Sequence, residues 1–348
     1  MIIKSEAKTF LELEPEYPFV DVRSPSEFAF GHIPGAFNLP LFSDDERAVI
    51  GTLFQKQGKE AAIVKGLNVA LPKVFHYVDL LKNMIPGAKV AVHCWRGGMR
   101  SELMAEVFNK AGYKVSILEG GYKAYRQFIR EAFAEVSEIM VLGGYTGCGK
   151  TEILSSLAGL GEQVIDLESL ACHKGSVFGA LGQGSQPTNE QFENDLYRIW
   201  SGMDPARRIW LEDESRSIGK VALPPPVFEQ ISRAKMVKVG LDRNIRIARL
   251  VSEYSLFDKE LLAEALFRIR EGLGGARYQY AMKSLEESDF SSVADSVLAY
   301  YDKAYQKAID KRENKEILTI ALQGSSPSSH AEAILELLNE IENEPGLS

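Results

Sequence analysis

The chain has few cysteines, no long apolar run and no excess of positive charge, and each shortage excludes a class of protein. Cys94, Cys148 and Cys172 are the three thiols in 348 residues. They are too few and too scattered for a disulfide framework or a zinc site. In a reducing compartment the question for each is reactivity rather than bridging. No window approaches about eighteen uncharged apolar residues, which argues against a membrane span. Residues Met1 to Lys8 carry charge but no apolar stretch of the kind that marks a secretory leader. The chain is therefore expected in the cytoplasm, away from membrane. Internal repeats and low-complexity tracts are also missing.

A net charge of -8 argues against an indiscriminate nucleic-acid binder, though not against a local basic face. One such face stands out. Between Arg233 and Arg249 lie Arg233, Lys235, Lys238, Arg243, Arg246 and Arg249, opposed by Asp242 alone. A solvated helix face is an equally good reading of that cluster in isolation.

What is present fits two ordinary globular domains: apolar residues are 45% and charged residues 25% of the chain. Two strand–helix series are legible, and they divide the chain into 1–136 and 137–348. In the first, Phe19 to Val22, Lys89 to His93 and Val115 to Leu118 read as buried strands. Helical periodicity covers Pro72 to Met84, Ser101 to Ala111 and Tyr122 to Phe133. The second opens on an Ile139 to Leu142 strand, a glycine-rich turn and a helix from about Lys150. Further strands are expected at Gln163 to Asp166, Ile209 to Glu212, Met236 to Gly240 and Ile317 to Leu322. Arg243 to Ile309 should be mostly helical. Alternating strands and helices predict α/β domains with parallel sheets covered on both faces.

The stretch His93-Cys94-Trp95-Arg96-Gly97-Gly98-Met99-Arg100-Ser101 joins a strand to a helix. Backbone amides around Gly97 and Gly98, the helix start and the charges of Arg96 and Arg100 can converge there. A thiol in such a cradle is a nucleophilic thiolate at neutral pH, and an oxyanion binds beside it. A buried structural cysteine is the competing reading, but paired arginines and glycines serve no packing need. His93 reads as a core histidine. The spacing Cys94-x5-Arg100-Ser101 also fits a cysteine-dependent phosphatase, which would need an acid such as Asp44 or Asp45 folded over the loop.

Gly144-Tyr145-Thr146-Gly147-Cys148-Gly149-Lys150-Thr151 matches the phosphate-loop pattern, with an apolar strand before it and a helix after. Its Gly144, Gly147 and Gly149 let amides wrap a diphosphate, along with Thr146. Lys150 supplies a cation, and Thr151 can ligate Mg2+. A carboxylate is expected near that ion from Glu212, Asp213 or Asp166, with Asp213 the working choice. Cys148 and Tyr145 read as packing residues, and Cys172 has no distinctive context.

These motifs carry a resemblance. Asp21-Val22-Arg23-Ser24-Pro25-Ser26-Glu27-Phe28, Gly31 to Asn38, the cysteine loop and Glu119-Gly120-Gly121-Tyr122 resemble rhodanese domains, whose loop cysteine carries a persulfide. Asp21 and Arg23 are there expected to brace the fold. Joined to a phosphate-loop domain, and with Val164 to Glu168, His173 to Gly179 and Glu212 to Gly219, the pattern resembles the tRNA 2-selenouridine synthases over nearly the whole chain.

The resemblance implies a two-step transferase acting on wobble 2-thiouridine in tRNA. Geranyl diphosphate alkylates the sulfur, and selenium from selenophosphate then displaces it. It implies tRNA, both co-substrates and the selenophosphate-producing enzyme as partners, with no tightly bound cofactor beyond Mg2+. Cys94 would carry the chalcogen as a persulfide or perselenide, with Arg96 and Arg100 orienting the selenophosphate oxyanion. Gly97, Gly98, Arg216, Arg243 and Arg246 are candidates for contact with substrate or the tRNA backbone. A rhodanese-fold phosphatase with a nucleotide-binding regulatory domain is the alternative.

Overall fold

The computed structural model describes residues 1–312, 316–324 and 326–343. It divides into two compact units, one of residues 1–134 with 193–198, the other of residues 135–192 with 199–348.

In the first unit the elements run β1 (Ile2–Ser5), α1 (Ala7–Leu11), β2 (Phe19–Asp21), α2 (Pro25–Phe30), β3 (Phe37–Asn38), α3 (Asp44–Gln57), α4 (Lys59–Ala70), α5 (Val74–Met84), β4 (Lys89–His93), α6 (Met99–Lys110), β5 (Lys114–Leu118) and α7 (Gly121–Ala132). The five strands form one parallel sheet in the order β1-β5-β4-β2-β3. Strand β4 lies at its centre, and Val90, Ala91 and Val92 are wholly buried, as both faces of a covered parallel sheet require. One core cluster joins Val20, Val90, Val92, Met104 and Phe108. Another joins Phe10, Phe19, Ala91, Tyr122, Tyr125 and Ile129. Tyr122, Tyr125 and Ile129 recur at helical spacing, so α7 presents one apolar stripe to the sheet. At roughly 1.5–3 kcal/mol for each large side chain buried, these stripes hold the helices down.

The second unit continues with β6 (Ile139–Gly144), α8 (Lys150–Gly159), β7 (Gln163–Ile165), α9 (Leu167–Ala171), α10 (Asn189–Trp200), β8 (Ile209–Glu212), β9 (Ser217–Ile218), β10 (Val221–Ala222), α11 (Pro225–Arg233), β11 (Lys235–Gly240), α12 (Arg243–Tyr254), α13 (Lys259–Arg268), α14 (Arg270–Leu273), α15 (Gly275–Glu286), α16 (Phe290–Asp310), β12 (Ile317–Ala321) and α17 (Pro327–Asn343). Residues 193–198 of α10 group with the first unit. A parallel sheet runs β12-β11-β6-β8-β7, and β9 pairs antiparallel with β10 as a small hairpin. Helix α8 packs Ile153, Leu154 and Leu157 against a core shared with Ile334 and Leu338 of α17. Helices α13 to α16 pack a separate apolar cluster containing Phe178, Leu262, Leu266, Leu285 and Val297. No described helix is long and apolar enough to cross a membrane.

The expected strands and helices are all present, with ends moved by one to three residues. Three features have no counterpart in the sequence reading: the edge strand β1, the α3–α4 pair and the β9–β10 hairpin. Helix α3 contains no buried residue, so its sequence has no apolar period to detect.

Candidate functional site

Two loops that follow central strands carry the chemistry, one in each unit. In the first unit Cys94 follows β4 and is 3% exposed. Gly98 caps the N-terminus of α6, so the loop meets the positive end of a helix three turns long. The carbonyls of Cys94 and Trp95 accept from the amides of Tyr122 (2.8 Å) and Lys123 (3.0 Å) in the first turn of α7. Those bonds fix the far side of the loop and leave the amides of residues 96–99 without acceptors among the described residues. Such a run of free N–H groups is an anion nest.

Glycine is obligatory at the contact between the loop and α7. Gly97 and Gly121 both have positive φ, 63° and 64°. A Cβ on Gly121 would stand 2.5 Å from the Cys94 carbonyl oxygen and 2.7 Å from the Arg96 nitrogen. A Cβ on Gly97 would stand 2.9 Å from the nitrogens of Gly120 and Gly121. Backbone on backbone leaves no room for a side chain.

Cys94 Sγ lies 3.3 Å from Ser101 Oγ, which also donates to the Gly98 carbonyl at 2.9 Å. His93 is fully buried, and burial lowers its pKa to about 4, so it is a neutral core residue. Asp21 and Arg23 are buried beside it in a bidentate pair, with Nη2 to Oδ2 2.6 Å and Nε to Oδ1 3.0 Å. The guanidinium also donates to the Gly31 carbonyl at 2.6 Å and stacks 3.8 Å over the Tyr122 ring. That ring belongs to α7, the helix that holds the cysteine loop, so this pair braces the loop.

The two loop arginines have different surroundings. Arg96 is exposed and has no side-chain partner among the described residues. Arg100 donates to Glu27 Oε2 at 2.8 Å, an oxygen that also faces Arg47 at 3.7 Å. Burial pushes the Glu27 pKa up, but its bond and charge interaction with Arg100 bring it below the usual range. Arg100 is thus held by a carboxylate, and Arg96 is the free cation of the loop. Asp44 accepts from the nitrogen and hydroxyl of Ser26, at 3.0 and 2.6 Å. These bonds hold its pKa low, which suits a carboxylate and not the proton donor that phosphatase chemistry needs.

In the second unit the phosphate loop follows β6, with Gly144, Gly147 and Gly149 all at positive φ. It opens on a cleft of about 1250 Å3 at the carboxyl ends of β6, β7 and β8, where ligands sit in open α/β sheets. Thr146, Lys150 and Thr151 line this cleft together with Glu168, Asp213, Glu214 and Arg216. Lys150 Nζ donates to the Gly144 carbonyl at 3.2 Å. Burial opposes its charge, but the surrounding acidic groups, Glu168 and Glu214 among them, raise its pKa further. It remains an ammonium.

Thr151 Oγ1 donates to Glu168 Oε2 at 3.2 Å. Glu168 is raised by burial, and Glu214, hydrogen-bonded to it, is pushed up to about 8 by burial and by Glu168. Glu212 is fully buried and accepts from the Leu167 amide at 3.0 Å, and burial raises it well above the carboxylate range. Asp213 accepts from Arg312 Nη1 at 2.9 Å. Asp166 caps α9 by accepting from Ser169 at 2.7 Å. The carboxylate beside Thr151 is thus Glu168, not Asp213, whose charge Arg312 already takes. Among the described residues no three His, Cys, Asp or Glu side chains are grouped as a protein-only metal site. Thr151 with Glu168 fits the partial ligand set that Mg2+ uses when phosphates and water supply the rest.

The basic cluster is largely neutralised. Arg243 pairs with Asp295 at 2.7 Å, and Arg246, 3% exposed, pairs with Asp302 at 2.7 Å. Arg249 pairs with Glu152 at 2.6 Å, and Lys235 with Glu316 at 3.2 Å. Arg246 is therefore a buried structural residue and does not present itself to a nucleic-acid backbone. Arg216 differs: it is exposed, lines the cleft and has no side-chain partner among the described residues. Tyr145 packs against Tyr305 and donates to Gln306 at 3.0 Å. Cys148 is buried in the sheet core, and burial raises its pKa.

Sequence reasoning gave no role to Ser101, Glu27, Glu168 or Glu214. The signal for the last two was a carboxylate just past each of two neighbouring strands, in Asp166-Leu167-Glu168 and Glu212-Asp213-Glu214.

A cysteine loop on one parallel sheet and a phosphate loop on another define a two-domain α/β protein of the rhodanese and AAA classes. The rhodanese-like domain profile matches residues 5–128. The profile of the tRNA 2-selenouridine synthase AAA domain matches residues 137–327. Curated tRNA 2-selenouridine synthases are similar along their length. That of Psychromonas ingrahamii is 31% identical, the match covering 86% of this chain and 89% of that one. That of Shewanella loihica is 32% identical, over 90% and 92%. That of Bdellovibrio bacteriovorus is 31% identical, over 88% and 92%. The chain belongs to the tRNA 2-selenouridine synthase family.

Proposed function

We propose that this protein is a tRNA-modifying transferase that converts wobble 2-thiouridine into 2-selenouridine by way of an S-geranyl intermediate. The observation that carries the reading is the pairing of a phosphate loop, open on a large cleft, with a cysteine loop whose thiol faces a helix N-terminus and free amides. Membership of the family supports the tRNA substrate, and the chemistry of the two loops supports the division of labour.

In the first step the thiocarbonyl sulfur attacks C1 of geranyl diphosphate. The C1–O bond breaks, diphosphate leaves, and the uracil gives up its N3 proton. Lys150, Arg216 and the loop amides bear the growing charge on the diphosphate, which is the main catalytic demand of such a displacement. Thr151 and Glu168 would hold Mg2+, which when bound supplies further positive charge to that leaving group. Alkylation turns a poor leaving group at C2 into a good one, so the first step prepares the second.

In the second step Cys94 delivers selenium to C2 and geranylthiolate departs. Selenophosphate carries selenide, so a perselenide on Cys94 lies two electrons above thiolate plus selenide. Loading therefore draws on a disulfide-type oxidant, with phosphate released. A thiol then reduces the bond between selenium and Cys94, freeing the nucleoside. Arg96 and the free amides of residues 96–99 orient the selenophosphate oxyanion.

The test is incubation with thiolated tRNA, geranyl diphosphate and selenophosphate, followed by mass analysis of the nucleosides. Cys94→Ala should accumulate geranylated tRNA and make no selenouridine. Lys150→Ala should stop geranylation. Selenouridine from the Cys94 variant would remove the cysteine from the pathway, and normal geranylation by the Lys150 variant would move the diphosphate elsewhere.

A further inference from the structure

Beside the phosphate cleft lies a second, smaller cavity of different chemistry. It has about 50 Å3 of free space. Phe178, Leu262, Val293, Ala294 and Val297 form its walls, and all are buried. Thr146, Ser176, Leu250, Tyr254 and Tyr301 line both this cavity and the cleft, so one opens into the other. Leu250 is in direct reach of the phosphate loop, since a Cβ on Gly147 would stand 3.3 Å from its Cγ.

Interiors close-packed like crystals leave few voids larger than a water, and an apolar void forfeits dispersion contacts. A lined void beside an anion cradle therefore needs an occupant. Its polar rim is already engaged: Tyr301 Oη accepts from the Val177 amide at 2.9 Å, and burial pushes the Tyr301 phenol up to about 12. A purine or pyrimidine would bring ring nitrogens and exocyclic groups that these walls cannot bond, at a cost of about 1–3 kcal/mol for each unsatisfied group. A hydrocarbon brings none. At about 10–15 Å3 for each water-sized group, the space holds roughly four such groups, the bulk of one branched five-carbon unit and not of two.

We propose that this cavity seats the far isoprene unit of the prenyl diphosphate, and that Ala294, Val297 and Leu262 set the chain length accepted. The assignment rests on the alkylation step proposed above and adds its specificity. The near isoprene unit then runs along the shared rim, between Thr146 and Tyr254, with the diphosphate on the loop. A fifteen-carbon chain overfills the closed end, and a five-carbon chain leaves it empty.

Two variants act in opposite directions. Val297→Ala enlarges the closed end, and Ala294→Phe fills it. With thiolated tRNA as acceptor, kcat/KM is measured for dimethylallyl, geranyl and farnesyl diphosphates, and binding of inorganic diphosphate is measured alongside. The Val297 variant should raise the farnesyl-to-geranyl ratio at least tenfold. The Ala294 variant should lower the geranyl-to-dimethylallyl ratio at least tenfold, mainly through KM, while inorganic diphosphate binds as before. Thermal melts verify that each variant is folded, and the Val297 truncation, the milder change, keeps the test alive if the phenylalanine is not tolerated. Unchanged ratios in a wild-type protein that does use geranyl diphosphate overturn the cavity assignment alone. A wild-type protein that transfers no prenyl group overturns the alkylation reading, and the cavity assignment falls with it.

Discussion

Cys94 Sγ and Ser101 Oγ lie 3.3 Å apart across the first turn of α6, and the same hydroxyl donates to the Gly98 carbonyl. One hydroxyl proton thus serves two acceptors. With the thiol protonated it stays on Gly98, and with the thiolate formed it turns to sulfur. A hydrogen bond to a charged group contributes about 1.5–3 kcal/mol.

Ser101→Ala should therefore slow alkylation of Cys94 by iodoacetamide at neutral pH about tenfold, and leave the melting temperature little changed. Timed intact-mass measurement reads the rate. Unaltered labelling would mean that the helix end and amides stabilise the anion without the hydroxyl.

The Asp21–Arg23 pair predicts an acid limb in stability. Burial raises the Asp21 carboxyl while His93 and Arg23 lower it more, so its folded pKa lies below the ordinary 3.8. A depressed carboxylate contributes stability that is full above its unfolded pKa and is lost as pH falls through the folded one. The loss should begin near pH 4 and continue below it. Asp21→Asn should flatten that limb and cost about 3–5 kcal/mol at neutral pH, because Arg23 is left buried and unpaired. Urea titrations at several pH values measure both effects.

Glu214 predicts pH dependence of the opposite kind at the phosphate loop. With its pKa near 8 it is neutral at pH 7 and gains a negative charge as pH rises through 8. In the absence of divalent cation, inorganic diphosphate should bind more weakly above pH 8. Glu214→Gln, which keeps the shape and cannot ionise, should abolish that decline. Calorimetry between pH 6.5 and 9 tests this, and a variant that still loses affinity above pH 8 assigns the titration to another group.

Two arginines once grouped as nucleic-acid contacts should separate cleanly. Arg246→Ala should destabilise the chain by about 3 kcal/mol, since it strands Asp302 beside a buried gap. Arg216→Ala should alter stability by less than about 0.5 kcal/mol. It should weaken tRNA binding, and lower the slope of log affinity against log salt by about one. Filter binding at several salt concentrations, paired with thermal melts, distinguishes the two.

Much of this protein was readable along the chain because the decisive patterns are local. Strands β4 and β6 are unbroken apolar runs, as sheets covered on both faces demand. The two loops that follow them are contiguous motifs, with glycines where amides must converge. The α3–α4 pair escaped notice because α3 buries nothing, and the hairpin because two-residue strands have no period. The basic stretch from Arg233 to Arg249 misled for a related reason. Its partners Asp295 and Asp302 lie some fifty residues further on, and only folding brings α16 against α12.

The linear order of residues was enough to determine two parallel α/β domains, the cysteine loop and the phosphate loop. It was not enough for the pairing of side chains across elements. That Glu27 holds Arg100, that Arg312 occupies Asp213 while Glu168 meets Thr151, and that an apolar cavity adjoins the cleft depend on distances between strands and helices far apart in the chain. Backbone periodicity is set by neighbours a few residues away, whereas charge pairing and empty space depend on how whole elements pack.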